Sequence, residues 1–167
     1  MRLRSACLSA AVALGMTVLA AGTADAAGPL SGTKVRNWQS GFVLGVAGNS
    51  TAGGAQIQYQ SDTEDLAQKW AIEPVTGTTF LLRNLHSDMC VTAVDGGDTE
   101  ALQQRPCDSR WREQTFTLED STKPDRYRLR NLAHSKCLFP YGTGAPTYAR
   151  VYACGNNTHQ THSFDVR

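Results

Sequence analysis

The chain has 167 residues, with 16 basic against 15 acidic side chains, and that near balance excludes whole classes of partner. A nucleic-acid binder needs a large excess of Lys and Arg to neutralise phosphates, and a protein held by charge to anionic lipid needs the same excess. The length suits one domain, and 15 glycines with little helix-period patterning point to an all-β fold.

Residues 1–26 read as a secretory signal peptide. Arg2 and Arg4 supply the positive end, an apolar run covers Ala6–Ala21, and Ala24-Asp25-Ala26 forms an A-x-A cleavage site. The run is too short for a membrane span, and no later stretch reaches ~18 apolar residues. A secreted mature protein starting at Ala27, without membrane insertion, is therefore expected. Removing Arg2, Arg4 and Asp25 leaves 14 basic and 14 acidic residues.

The remaining 141 residues equal three times 47, and that spacing recurs inside them. Arg36-Asn37-Trp38, Arg83-Asn84-Leu85 and Arg130-Asn131-Leu132 follow it, as do Cys90 with Cys137 and Cys107 with Cys154. At the same offsets the first copy carries Val43 and Gln60, and Gln56, Gln103 and Arg150 align with one another. Trp70, Phe116 and Phe164 close the copies, allowing one residue of slippage. One domain over 27–167 with repeats at 31–77, 78–124 and 125–167 follows.

In chain order, Gly45…Gly48-Asn49 marks the first turn. A strand is expected over Phe80-Leu81-Leu82-Arg83-Asn84, then a turn at Asp95-Gly96-Gly97-Asp98. Arg126-Tyr127-Arg128-Leu129-Arg130 alternates as a strand with a solvated arginine face, and Gly142-Thr143-Gly144 is the last turn. Each copy thus offers about four short strands, roughly twelve in all. Three blades fall short of the ~4–8 that close a propeller, so a threefold barrel capped by hairpins fits better.

The equal cysteine spacings, the Q-x-W element Gln68-Lys69-Trp70, and its degenerate forms Gln114-Thr115-Phe116 and His162-Ser163-Phe164 resemble the ricin B-type lectin family. The likeness covers nearly all of 31–167 and implies a three-lobed β-trefoil. The overall style resembles secreted bacterial proteins. Four cysteines in a secreted domain predict disulfides, and repeat equivalence selects Cys90–Cys107 and Cys137–Cys154 among three connectivities.

The resemblance also implies a shallow sugar pocket in each copy. An acidic residue two places after the first cysteine accepts hydroxyl hydrogens. An aromatic two places before the second stacks on the ring, and an Asn-Gln pair completes the polar side. Here the acidic position holds Gly45, Thr92 and Phe139, and the stacking position Gln58, Arg105 and Tyr152. The polar pair becomes Ala67-Gln68, Glu113-Gln114 and Thr161-His162. The third copy is the expected carbohydrate contact, with Tyr152 stacking, Thr161 or His162 as polar partners, and Tyr141 and Tyr148 adding aromatic surface. The middle copy offers Asp95, Glu113 and Gln114. The other reading keeps the scaffold but gives its loops to a secreted protein partner, as an adaptor, inhibitor or toxin-assembly subunit.

Trp111, between Arg110 and Arg112, reads either as a partly buried ring or as an exposed contact. His159 and His162 alone make no metal site, and the cysteine spacings are far from metal-binding ones. No G-x-S-x-G, H-E-x-x-H or glycine-rich phosphate cradle occurs, so neither catalysis nor a cofactor is expected. The partner is a glycan, glycoconjugate or secreted protein, and not nucleic acid.

Overall fold

The computed structural model describes residues 32–94 and 99–165; the expected signal peptide, its cleavage site and Asp95 lie outside them. Twelve strands run in chain order among the described residues. They are β1 Lys34–Asn37, β2 Val43–Val46, β3 Ile57–Gln60, β4 Trp70–Pro74, β5 Thr79–Asn84 and β6 Cys90–Val94. There follow β7 Glu100–Arg105, β8 Phe116–Asp120, β9 Tyr127–Asn131, β10 Lys136–Pro140, β11 Thr147–Ala153 and β12 His162–Asp165. The strand expected at Arg126–Arg130 therefore starts and ends one residue later. Its alternation holds: Leu129 and Asn131 are buried, while Arg128 and Arg130 each reach a Glu119 oxygen at 3.5 Å.

Six strands close a ring. β1 pairs β12, β12 pairs β9, β9 pairs β8, β8 pairs β5 and β5 pairs β4, and a bridge from Thr33 to Trp70 completes the circuit. The hairpins β2–β3, β6–β7 and β10–β11 cap it. Their inner strands meet one another through Thr147↔Tyr59, Val151↔Glu100 and Gln56↔Gln103. Closure of this kind leaves no long unpaired edge. This is the β-trefoil.

The core is stacked in triads drawn from the three lobes. Val35, Leu82 and Leu129 form one; Leu44, Val91 and Leu138 another; Ile57, Leu102 and Ala149 a third, all essentially inaccessible. Asn37, Asn84 and Asn131 repeat a polar joint, each donating Nδ2 to two backbone carbonyls of the lobe before it in the ring, at 2.7–3.4 Å. This joint explains why the Arg-Asn pairs keep their spacing of 47: a buried amide has one geometry that satisfies it.

Elsewhere the equal period conceals unequal segments. Leu44 pairs Tyr59, whereas Val91 pairs Gln104 and Leu138 pairs Val151, so the first hairpin is two residues longer than the others. Three expectations change as a result. Gln58, not Gln56, matches Gln103 and Arg150. Gln60, not Gln58, occupies the stacking position. Asp62, not Gln60, stands where the second cysteine sits.

The end of each copy is also re-registered. Gln68, Gln114 and Gln160 make the same clamp: Oε1 accepts from the N–H of Thr63, Asp108 or Gly155, and Nε2 donates to the carbonyl of Ser61, Pro106 or Ala153. The third closing element is therefore Gln160-Thr161-His162. His162, fully buried, fills the place of Trp70 and Phe116, and Phe164 is only partly buried at the margin.

Candidate functional site

Each glutamine clamp holds the loop that leads from the capping hairpin back to the barrel. Between that loop and the hairpin lies a cleft, so the fold carries three clefts at equivalent places. Their walls differ in chemistry.

In lobe three the cleft encloses about 300 Å³ and is lined by Phe139, Tyr141, Tyr152, Asn157, His159 and Gln160. Strand pairing sets Cys137 opposite Tyr152 and Phe139 opposite Arg150, and the Cys137–Cys154 disulfide anchors the hairpin beside it. Tyr152 is 48% exposed and Tyr141 58%. Phe139 packs against both, with ring centroids 6.1 Å from Tyr152 and 6.3 Å from Tyr141. The Arg150 guanidinium lies over the Tyr141 ring, 4.8 Å from its centre. Such packing leaves both tyrosine rings about half exposed. Asn157 caps the short turn below by accepting from the Gln160 N–H.

In lobe two the cleft is larger, about 470 Å³, and includes Thr92, Arg105, Trp111, Glu113 and His134. Arg105 replaces Tyr152, Trp111 replaces Asn157 and Glu113 replaces His159. The Cys90–Cys107 disulfide anchors this hairpin. Arg110 donates to Asp108 beside it and holds that carboxyl down at about 2.

Lobe one has a broad cleft of about 540 Å³, walled by Gly48, Asn49, Gln60, Asp65 and Pro146, with no aromatic among its lining residues. The Gln60 amide is spent on the Val46 carbonyl, to which it donates at 3.1 Å. In place of a disulfide, Asp62 accepts from Lys34 and Arg36, and Arg36 also reaches Asp165 at 2.6 Å.

The sequence pattern of the ricin-type β-trefoil lectin-like domains matches this chain over residues 23–104 and 68–154. The chain belongs to that family. Among solved structures, this ricin-type trefoil is similar to a designed threefold-symmetric protein, ThreeFoil, at 20% identity and a TM-score of 0.75, covering 81% of this chain and 97% of that one. It is similar to an agglutinin from Rhizoctonia solani at 19% identity and a TM-score of 0.71, covering 82% and 96%. It also matches an exo-β-1,3-galactanase from Clostridium thermocellum at 20% identity and a TM-score of 0.76, covering 82% of this chain but 30% of that enzyme. No curated protein sequence matches it.

For this trefoil the structure sorts the expected contacts. Tyr152 and Glu113 stand on cleft walls. Tyr148 is exposed but lines no cleft wall of its own lobe, pairing with Gln58 of lobe one. His162 and Thr161 are corrected: His162 is 0% exposed with Nε2 2.6 Å from the Tyr59 hydroxyl, and Thr161 is buried with its hydroxyl donating to the Asn157 carbonyl. A side chain sealed in the core has no surface to offer a ligand. Gln114 is equally buried and spends its amide on the clamp and on Thr92. Sequence reasoning missed Asn157 and His159, which the register places on the wall of the third-lobe cleft. The signal was available, because Gln68, Gln114 and Gln160 are evenly spaced by 46. The only metal-like grouping among the described residues, Glu119 with Cys137 and Cys154, contains a disulfide and so no thiolate.

Proposed function

We propose that this ricin-type trefoil is a secreted, non-catalytic lectin whose third lobe binds a pyranose. The observation that carries this reading is Tyr152, half exposed and packed by Phe139 at the mouth of a small cleft whose other wall is polar. A pyranose presents one C–H face and a rim of hydroxyls. A half-exposed ring already packed by a neighbour covers the first at reduced entropic cost. Asn157 and His159, both exposed on the opposite wall, supply donors and acceptors for the second. Two disulfides fit an oxidising, extracellular setting.

The test is a broad glycan array probed with the purified protein, followed by titration of the best ligand against Tyr152→Ala. Binding that falls about tenfold or more in the variant, ~1.4 kcal/mol, supports the reading. An array silent at high protein concentration, together with recovery of a discrete protein partner from culture medium, would overturn it in favour of a trefoil used for protein contact.

A further inference from the structure

The middle lobe departs from its neighbours in a particular way. Its cleft sets a guanidinium, an indole and a carboxylate around one space, from Arg105, Trp111 and Glu113. All three side chains are exposed. Most charged groups on this surface are consumed in ion pairs, as with Arg36, Arg83, Arg110 and Lys136. Arg105 and Glu113 have no ion-pair partner among the described residues; Arg105 makes one long hydrogen bond, to Gln103 Oε1 at 3.4 Å. The cleft's back wall is fixed, since His134 Nδ1 lies 3.6 Å from the buried Glu100 carboxylate that Lys136 also holds at 2.7 Å.

Arg105 and Trp111 form a ridge rather than an edge. They also wall an adjoining cleft of about 430 Å³, which Gly53, Gly54 and Pro106 help to line. Gly54 sits at a φ of 86°, and a Cβ on either glycine would meet nothing nearer than 3.9 Å, so this side is open. A ligand crossing the ridge would be longer than one sugar ring.

We infer that the middle lobe binds a carboxylated pyranose, a uronate or a sialic-type acid, within an oligosaccharide. This rests on reading the lobes as saccharide clefts and adds the ligand class. The guanidinium fork donates two parallel hydrogen bonds to a carboxylate. Trp111 covers the C–H face, and Glu113, an acceptor only, takes hydroxyl donors. A phosphate dianion would meet stronger repulsion from Glu113 than a monocarboxylate does, and a neutral sugar would leave Arg105 unanswered.

The experiment compares matched probes by calorimetry with the purified protein: trigalacturonate against its methyl ester, and sialyllactose against lactose. We expect at least one acid to bind about tenfold tighter than its neutral counterpart, ~1.4 kcal/mol. That preference should vanish in Arg105→Gln, persist in part in Arg105→Lys, weaken with added salt and survive Tyr152→Ala. Thermal midpoints confirm that the exposed substitutions leave the fold intact. Equal binding of acid and neutral forms, or a preference unchanged in Arg105→Gln, overturns the inference while leaving Tyr152-dependent binding to stand by itself. Acid binding that needs Arg105, with no ligand depending on Tyr152, overturns the third-lobe reading instead. Silence with every probe overturns the inference, while the third-lobe reading is decided by the glycan array.

Discussion

The Tyr59 hydroxyl meets His162 Nε2 at 2.6 Å inside the core, with both side chains fully buried and the two rings stacked 5.8 Å apart. The pair ties the cap of lobe one to the barrel of lobe three, at a place where the other lobes put Trp70 and Phe116. Burial pushes the His162 imidazole down to about 3 and the Tyr59 phenol well above its usual range.

A pH dependence follows from that burial. The folded His162 binds its proton more weakly than the unfolded one, so the unfolded chain carries the extra proton between about pH 6.5 and 3. Stability is full above that window and falls as pH is lowered through it, by up to ~1.4 kcal/mol per pH unit. Urea unfolding from pH 7 to 3 measures the slope. The double variant Tyr59→Phe with His162→Phe should show a shallower slope, the remaining part coming from carboxylates; parallel slopes would refute the assignment.

Lobe one depends on charge where the other lobes have sulfur. Lys34 is 1% exposed, and Asp62, held below the usual carboxylate range first by Lys34 and then by Arg36, is its main carboxylate partner. Asp62→Ala should cost about 2 kcal/mol, below the ~3–5 kcal/mol of a fully buried broken pair because Asp62 is partly solvated and Glu64 remains. Chemical denaturation at neutral pH checks this. Since the folded pKa is lowered, the contribution is present above the ordinary carboxylate range, and the gap between variant and parent should close as pH falls below it.

The two disulfides span equal separations of 17 residues. Replacing Cys90 and Cys107 together by Ala should lower stability by ~3 kcal/mol, and Cys137 with Cys154 by a similar amount. Non-reducing fragment mass spectrometry should recover only these pairings, and a Cys107–Cys137 link would contradict the structure. Val43→Cys with Asp62→Cys should form a third bridge at the equivalent place, yet stabilise little, because it removes the main carboxylate partner of Lys34.

Each glutamine clamp is local. Gln160→Ala removes hydrogen bonds to the Gly155 N–H and the Ala153 carbonyl and should cost ~1–3 kcal/mol. Hydrogen exchange should quicken around 153–160 and not around 106–114. Gln114→Ala should reverse that pattern, and a uniform change in both variants would show that the lobes do not behave separately.

Much of this was legible beforehand. The trefoil and both disulfides follow from Asn37, Asn84 and Asn131 and from the cysteines, since buried amides and covalent links tolerate no drift. The clefts were harder. Pairing register decided that Gln60 and Asp62 hold the first-lobe positions, and register depends on hairpin length, which the constant 47-residue total disguises by compensating shortfalls elsewhere. His162 misled because an aromatic was sought two residues further on, at Phe164. A buried histidine with a tyrosine partner takes the position of an indole but leaves no aromatic-only trace in a pattern.

The three clefts sit on one rigid body at equivalent places but with unlike walls: polar in lobe one, charged in lobe two, aromatic in lobe three. Identical sites on such a frame would reward a uniform polymer, because each engagement raises the effective concentration for the next. Unlike sites reward only a target that displays different groups at matching distances. If the clefts bind saccharide as proposed, the divergence of the lobes turns a threefold scaffold from an instrument of avidity into a reader of mixed composition.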